Sequence, residues 1–466
     1  MNLLDRLTNL ERKPHARAYT DEGYNLRAFR AWVDDLGAPD RQLNFLHIAG
    51  TKGKGSTAAL CEAMLAASGH RTGLYCSPHV EHFGERIRLD GAPLAPAEFD
   101  EKLAAFEASL PAEHRRNLAE SPDFRTVFEI LTALALVEFR DRRRTAVVWE
   151  TGLGGRLDCT NIVAPRVAAI ATIAYDHEAI LGATIEAIAG EKAGIIKPDH
   201  PAVASRQVFP EAARVLEERA HAVGAPFFRA HEFTPVTEAL PAPGGLRCAV
   251  RFPDGRTGRT TLPFHGAHQA ANFETALTAC WLFEEGMHRR PDPEALLEGA
   301  RRAHMPGRLE VRRHEQKPAL VLDGAHCPLS ARRLGEALAA WLPLEDPPAR
   351  PPYALLVGMQ GDKNHAAFFG ELARAAGTEL FHRVVCVRVP GGRGAAPDSL
   401  ADSARAAGFD PVVAPDPGEA LREAVRVGGA SILVTGSFYA LHTARSAWDA
   451  LGPCEGGAAA PPPAAP

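Results

Sequence analysis

The sequence predicts an α/β protein of two principal units, each a mostly parallel sheet covered by helices. Three observations carry this. Short apolar runs alternate with helical patterns along most of the chain, as in strands joined by crossover helices. One of these runs, Phe45 to Ala49, breaks at Gly50 into a glycine-punctuated turn, and a helical pattern follows. The length of 466 residues exceeds what one hydrophobic core usually serves.

Taken in order, Asn25 to Leu36 has helical spacing through Leu26, Phe29, Trp32, Val33 and Leu36. Phe45 to Ala49 is an apolar run suited to a buried parallel strand. The helix after its turn is read from Ser56, with Ala58, Ala59, Leu60, Met64 and Leu65 as its apolar positions. Thr72 to Cys76 is a second strand ending in S-P-H (Ser77 to His79), and Asp90-Gly91 suits a tight turn in the excursion that follows. Ala97 to Leu110 reads as a helix, Arg115 to Pro122 as a polar, mobile stretch, and Phe124 to Phe139 as a long apolar helix. Strands are expected at Ala146 to Trp149 and Val167 to Ile173, the latter followed by Y-D-H. Thr184 to Ala193 reads as a helix capped by Thr184 and closed by Gly194.

Between Gly245 and Phe264 the pattern changes to an antiparallel hairpin around Pro253-Asp254-Gly255. Helices follow at Ala267 to Glu285 and Pro291 to Ala303. A second, Rossmann-like α/β unit then carries strands at Ala319 to Leu322, Tyr353 to Val357, Val384 to Val389, Pro411 to Ala414 and Ser431 to Val434. Pro343 to Pro352 is a proline-rich surface loop, and 452–466 a low-complexity tail expected to be disordered. The expected domains are therefore 1–303 and 304–451, followed by the tail.

Bulk properties exclude several classes. Hydrophobic residues make up 46% and charged residues 23%, which is ordinary for a globular enzyme. A formal charge of −5 gives no support to a nucleic-acid or anionic-membrane partner. No apolar stretch approaches the roughly 18 residues that span a bilayer, and the N-terminus lacks the apolar core of a signal peptide. The eight cysteines are scattered singly without a C-x-x-C pair, which argues for reduced thiols in a cytoplasm.

The chemistry gathers on strand ends. G-T-K-G-K-G-S-T (Gly50 to Thr57) joins a strand to a helix start, where free backbone N–H groups and the positive end of the helix dipole converge on a phosphate-sized space. Lys54 adds a point charge and Ser56 or Thr57 a hydroxyl for Mg²⁺. The loop is shorter than G-x-x-x-x-G-K-[ST], so the flanking strand and helix carry much of the weight. Ser77, Glu150 and Asp176-His177 each follow a strand, on the rim where ligands of open α/β sheets sit. Any one of them alone would be read as a solvated rim residue. Mg²⁺ prefers oxygen ligands and nucleotide phosphates, so Glu150 and Ser77 suit it better than His177 does.

With these residues in place the chain resembles the folylpolyglutamate synthases, including the bifunctional bacterial type that is also a dihydrofolate synthase, within the Mur ligase superfamily. The resemblance rests on ordered motifs: G-T-K-G-K-G-S, S-P-H with E-R-I-R, F-E-I-L-T-A, E-T-G-L-G-G-R-L-D-C-T-N, E-K-A-G-I-I-K, G-A-H-Q-A-A-N, P-G-R, D-G-A-H-C-P and T-G-S-F-Y. It implies an ATPase-type N-terminal domain and ATP-driven amide formation between a folate-type carboxylate and L-glutamate, through an acyl phosphate. Gly50, Thr51, Gly53, Lys54, Gly55, Ser56, Thr57, Asn272, Arg308 and Asp323 would then bind ATP. Ser77 and Glu150 would hold one Mg²⁺, with Glu150 and His177 on a second. Lys192, otherwise a plain helix lysine, matches a lysine that is carbamylated in that family and would complete the catalytic set of Lys54, Glu150 and His177. His326 and Ser437 would hold glutamate, and Phe128 and Asp158 the pterin, although Phe128 reads equally well as core.

The implied partners are small molecules (ATP, L-glutamate, and dihydropteroate or folates) on a cytoplasmic monomer, with no nucleic acid, membrane or organic prosthetic group. Lys52, Cys327 and Asn364 depart from the family's pattern, where Asn, Asn and an acid are usual. Two alternatives compete: a Mur-type peptidoglycan-precursor ligase, disfavoured by E-R-I-R and L-G-G-R-L-D, and an inactive nucleotide-binding module, disfavoured by the presence of Glu150, His177 and Lys192.

Overall fold

The five residues of β1, Phe45–Ala49, are all buried, as a central parallel strand requires. In the computed structural model, which describes residues 3–10, 19–314, 317–344, 353–390, 393–426 and 431–450, this strand is the middle of the first unit. The other strands of that sheet are β2 (Thr72–Tyr75), β3 (Ile87–Leu89), β4 (Ala92–Pro93), β5 (Ala146–Glu150), β6 (Val167–Ile170), β7 (Ala202–Ala204) and β8 (Phe227–Arg229). Their order is β4-β3-β2-β5-β1-β6-β7-β8. From β2 to β8 the pairs are parallel, whereas β3 and β4 fold back antiparallel. The tight turn expected at Asp90-Gly91 joins β3 to β4, with φ of +51° and +85°.

A second, three-stranded sheet contains β9 (Val236–Ala242), β10 (Gly245–Arg251) and β11 (Thr257–Leu262), in the order β11-β10-β9. The β10–β11 hairpin is antiparallel and turns through Asp254-Gly255, as its sequence suggests. The third sheet contains β12 (Glu310–His314), β13 (Lys317–Leu322), β14 (Tyr353–Val357), β15 (Phe381–Val387), β16 (Pro411–Ala414) and β17 (Ser431–Thr435). Its order is β12-β13-β17-β14-β15-β16, parallel except for β12 against β13. By internal contacts the chain divides into Met1–Leu240, Leu246–Pro263 and Ala267–His304 on one side, and Pro241–Gly245, Phe264–Gly266 and Met305–Pro466 on the other. The 452–466 tail and most of the proline-rich loop, 345–352, lie outside the described residues.

Several expectations need correction. The phosphate-loop helix starts at Lys54 rather than Ser56, and Gly53 stands at its N-cap with φ +92°. The first-turn amides of this helix, which have no acceptor within the helix, therefore belong to the loop itself. β6 ends at Ile170, not Ile173, which leaves 171–177 as a loop beside the phosphate turn. The supposedly mobile stretch 115–122 lies largely in a helix, Ala112–Glu120, which buries His114 and Leu118. Thr184 does cap the helix Ile185–Ala193 by accepting Ala187 N–H, but Gly194 is not a left-handed stop. Its φ is −59°, and a Cβ there would lie 2.5 Å from Arg156 Cα, so glycine is needed for close packing. β7, β8, β9, β12 and the helix Pro210–Ala222 have no counterpart in the sequence reading.

The first unit's main core lies under the helix Val127–Asp141, where Leu131, Leu134, Ala135 and Phe139 pack against Phe45 and Trp149 of the sheet. Burying each large apolar side chain contributes about 1.5–3 kcal/mol relative to exposure. A Thr126–Glu129 capping box starts the helix, and Phe128 in its first turn packs half-buried against this core. Within the second unit, Leu355, Val357, Phe368, Phe369 and Leu433 form a comparable core.

Candidate active site

The carboxyl ends of β2, β5, β1 and β6 are neighbours in the sheet, and the loops leaving them build one rim. After β1, Thr51 N and Lys52 N donate to Thr172 O at 2.9 and 3.0 Å, which fixes the turn against the loop after β6. Gly50 permits this approach, since a Cβ on it would lie 2.8 Å from Ala171 Cβ. Gly53 lies against Asn272, whose Nδ2 donates to Gln269 Oε1 at 2.8 Å. The phosphate loop and Asn272 thus come together on the first unit. The Thr57 hydroxyl is buried and has no hydrogen-bond partner among the described residues, so it is a polar atom that a ligand oxygen or ion at this turn could satisfy.

Glu150 ends β5 only 2% exposed. Lys54 Nζ lies 4.0 Å from its Oε1, and Ser77 N donates to its Oε2 at 3.3 Å. Glu85 anchors the Ser77 turn by accepting Val80, Glu81 and His82 N–H at 2.8, 2.7 and 3.1 Å. Those backbone donors outweigh burial and hold its carboxyl below the usual range. His177 has φ +53° and an imidazole 47% exposed, 3.9 Å from Asp176. Lys52 Nζ donates to Asp176 at 2.9 Å.

Lys192 is almost wholly buried. Burial, reinforced by the Lys54 and Lys52 charges and opposed by Asp176, pushes its ammonium down to about 7. An amine so placed is readily neutral, the form that adds CO₂. Asp158 uses both carboxylate oxygens. Oδ2 accepts Gly152 and Leu153 N–H at 3.0 and 2.9 Å, and Oδ1 accepts the Thr160 N–H and hydroxyl. Burial raises its pKa even against these donors. In this structure Asp158 braces the G-L-G-G loop. Phe128 packs its ring on Gly152 and lies 5.6 Å from the Tyr75 ring, between core and rim.

Oxygen donors dominate this rim. Among the described residues no three His, Cys, Asp or Glu side chains converge as a metal cage. Mg²⁺ takes one or two protein carboxylates and completes its shell with water and phosphates. Glu150 and Ser77 fit such an ion. Lys192 fits it only after losing its positive charge.

In the second unit, Asp323 and His326 follow β13 and Ser437 follows the adjacent β17. Asp323 N donates to Val434 O at 3.0 Å, and Gly436 N to Ala325 O at 2.9 Å, so the two loops form one cluster. Asp323 accepts Leu309 and Ala325 N–H at 3.0 and 2.9 Å; burial raises its pKa and Arg308 opposes that. The Arg308 guanidinium lies over Phe438 at 4.9 Å. His326 Nδ1 is 2.8 Å from Gly324 O. The Ser437 hydroxyl donates to Gly358 O at 2.8 Å and accepts Ala440 N–H at 3.1 Å, capping the helix Phe438–Ala450. Cys327 sits at the N-cap of the next helix with Ser330 as its partner, and Asn364 caps the helix His365–Ala376.

The model of the Mur ligase glutamate ligase domain matches residues 307–438. The folylpolyglutamate synthase of Lacticaseibacillus casei is 34% identical over 365 residues, covering 78% of this chain and 81% of its own length. The chain belongs to the folylpolyglutamate synthase family. It is accordingly an ATP-dependent ligase of the Mur type. A dihydrofolate synthase/folylpolyglutamate synthase of Bacillus subtilis is 37% identical over 307 residues, 65% of this chain and 69% of that protein. Mycobacterium tuberculosis folylpolyglutamate synthase complexed with ADP superposes with a TM-score of 0.81 at 31% identity, covering 97% of each chain. An FPGS–AMPPCP–folate complex gives a TM-score of 0.76 at 30% identity, covering 96% of this chain and 99% of that one. No helix among the described residues is long and apolar enough to cross a membrane.

Sequence reasoning overlooked Glu85 and Gln269, which position Ser77 and Asn272. Both lie inside motifs already singled out, and the H-x-x-E spacing of His82 to Glu85 was a readable sign of a capped turn.

Proposed function

We propose that the chain joins L-glutamate to dihydropteroate, to folyl-(poly)glutamates or to both, using ATP. The family activity of glutamate ligation to folates supports this. The single observation that carries it is the Lys54–Glu150 approach of 4.0 Å at the phosphate-loop rim, with Lys192 buried beside it. Lys54 and the first-turn amides of its helix neutralise the terminal phosphates of ATP, and Asn272 lines the same loop.

The substrate carboxylate attacks the γ-phosphorus, forming a C–O–P bond and releasing ADP. The neutral amine of glutamate then attacks the acyl carbon. Phosphate leaves, taking the C–O bonding pair, and the amine proton goes to solvent. Phosphorylation is needed because a free carboxylate would otherwise have to expel oxide. The residues need only align the partners and neutralise charge.

Glu150 and Ser77 would hold one Mg²⁺, and Glu150 with His177 a second, and these ions would supply positive charge to the phosphate oxygens. Lys192 completes this set as a carbamate: its neutral Nζ attacks CO₂, loses a proton, and becomes an anionic oxygen donor. Phe128 and the Asp158-braced loop receive the pterin. In the second unit, Arg308 and Asp323 serve the nucleotide, while His326 and Ser437 hold the incoming glutamate. The functional domains proposed are 1–303 and 304–451, acting as a monomer.

The test is ATP- and glutamate-dependent phosphate release with dihydropteroate and, separately, with tetrahydrofolate. Release with either acceptor supports the reading and assigns the substrate. Release with neither, in folded Mg²⁺-supplied protein, overturns it.

A further inference from the structure

The phosphate turn is tied to the loop after β6 at several points. Thr51 N and Lys52 N share Thr172 O, and Thr51 Oγ1 donates to Ala174 O at 3.2 Å. The two backbone ties are ones almost any sequence could make, and the third needs only the Thr51 hydroxyl. Lys52 adds one that depends on its side chain: Nζ donates to Asp176 Oδ2 at 2.9 Å, with the two side chains only 13% and 9% exposed. The other oxygen of that carboxylate accepts His177 N–H at 3.1 Å. His177 needs holding, because its φ of +53° is one that residues with a Cβ rarely adopt. A carboxylate this sheltered also requires a compensating charge, and Lys52 brings one from the loop. Lys54 does a different job, facing Glu150 at 4.0 Å.

We infer that Lys52 is a positioning residue: acting through Asp176, it latches the phosphate turn to the His177 turn and holds both ready for a nucleoside di- or triphosphate. The inference rests on the phosphate turn being the nucleotide site. A turn already fixed in shape binds phosphate without first losing conformational freedom, so the latch acts mainly on affinity. Lys52 does this without touching the phosphate.

The test is calorimetric titration of the full chain with ADP and no added metal, together with steady-state kinetics. K52M should weaken ADP binding about tenfold, and K52R, which can still pair with Asp176, should stay within about threefold of wild type. D176N should reproduce the K52M loss, and the double variant should bind no more weakly than the worse single one, as expected of two residues acting as one unit. KM for ATP should rise more than kcat falls. The latch is overturned if K52M binds ADP within about twofold of wild type, or if D176N binds it more tightly. It is also overturned if the two losses multiply in the double variant, since Lys52 would then contact phosphate directly. Should K52M fail to fold, D176N decides alone: weakened binding upholds the latch, and unchanged or tighter binding overturns it. Wild-type protein that binds no ADP would overturn the nucleotide-site reading itself, a separate failure.

Discussion

A Cβ on Gly53 would lie 2.2 Å from Oδ1 of Asn272, so the phosphate turn and the helix His268–Gly286 touch where only glycine fits. Asn272 cannot simply swing aside, because it is buried and bonded to Gln269. Gly53 also has φ +92°, which costs an L residue on the order of 1–2 kcal/mol. Gly53→Ala is therefore expected to fold but to weaken ADP binding by at least about tenfold, since strain and the displaced amide act together. Calorimetry checks this, and binding as tight as wild type would show that the turn tolerates a side chain.

Glu150→Gln keeps the shape of a buried side chain and removes its charge. The expected loss in turnover is about a hundredfold or more, on the scale of removing a main electrostatic stabiliser. Near-normal turnover would sink the metal-ligand role proposed for Glu150.

Lys192 should carry CO₂ in the active enzyme. Its ammonium is pushed down to about 7 from 10.5, so the reactive neutral amine dominates above that pH and disappears below it. Modification and activity should both fall as pH drops below 7, and sooner when bicarbonate is stripped. A ¹³C carbamate resonance in protein supplied with ¹³C-bicarbonate is the direct readout. Lys192→Ala should be folded and nearly inactive, with partial rescue by a small carboxylate. Full activity in that variant rules the carbamate out.

Glu62, buried on the phosphate-loop helix and accepting Gly91 N–H at 3.1 Å, is raised from 4.5 to about 7, chiefly by burial and against the pull of Arg88. The folded state therefore holds a proton that the unfolded chain releases at lower pH. Its contribution to stability is full below pH 4.5, declines between 4.5 and 7, and is lost as pH rises through 7. Glu62→Gln keeps the acceptor and removes this dependence. Denaturant melts at pH 8 should show the variant more stable, by on the order of 2–3 kcal/mol, with the gap closing toward pH 4.5.

What could be read from the sequence follows from how local each signal is. β1 and its turn were legible because a five-residue apolar run meets glycines and a lysine within a few positions. The rim residues were legible because Glu150 stands at the end of a strand, and Ser77 and His177 lie in loops that leave one. β7, only Ala202–Ala204, is too short and too plain to stand out from its surroundings. The helix Ala112–Glu120 was misread because only His114 and Leu118, four residues apart, anchor an otherwise polar segment. Gly194 does close its helix, but glycine is needed there for close contact with Arg156 rather than for a left-handed turn, which no local pattern reveals. The Lys52–Asp176 pair joins residues 124 positions apart, and only the parallel placement of β1 beside β6 brings them together.

Both lysines of the phosphate turn lie opposite carboxylates, Lys52 opposite Asp176 and Lys54 opposite Glu150. These four charges cancel at a distance, on a chain whose formal charge is already −5. A polyanion approaching from solvent therefore meets little long-range attraction, although short-range donors await it once it arrives. Nucleotide capture should then proceed by ordinary diffusive collision, with an association rate that changes little with ionic strength, unlike the steep decline of electrostatically steered encounters. Nucleotide affinity at this rim would be governed by how slowly the ligand leaves rather than by how fast it is drawn in.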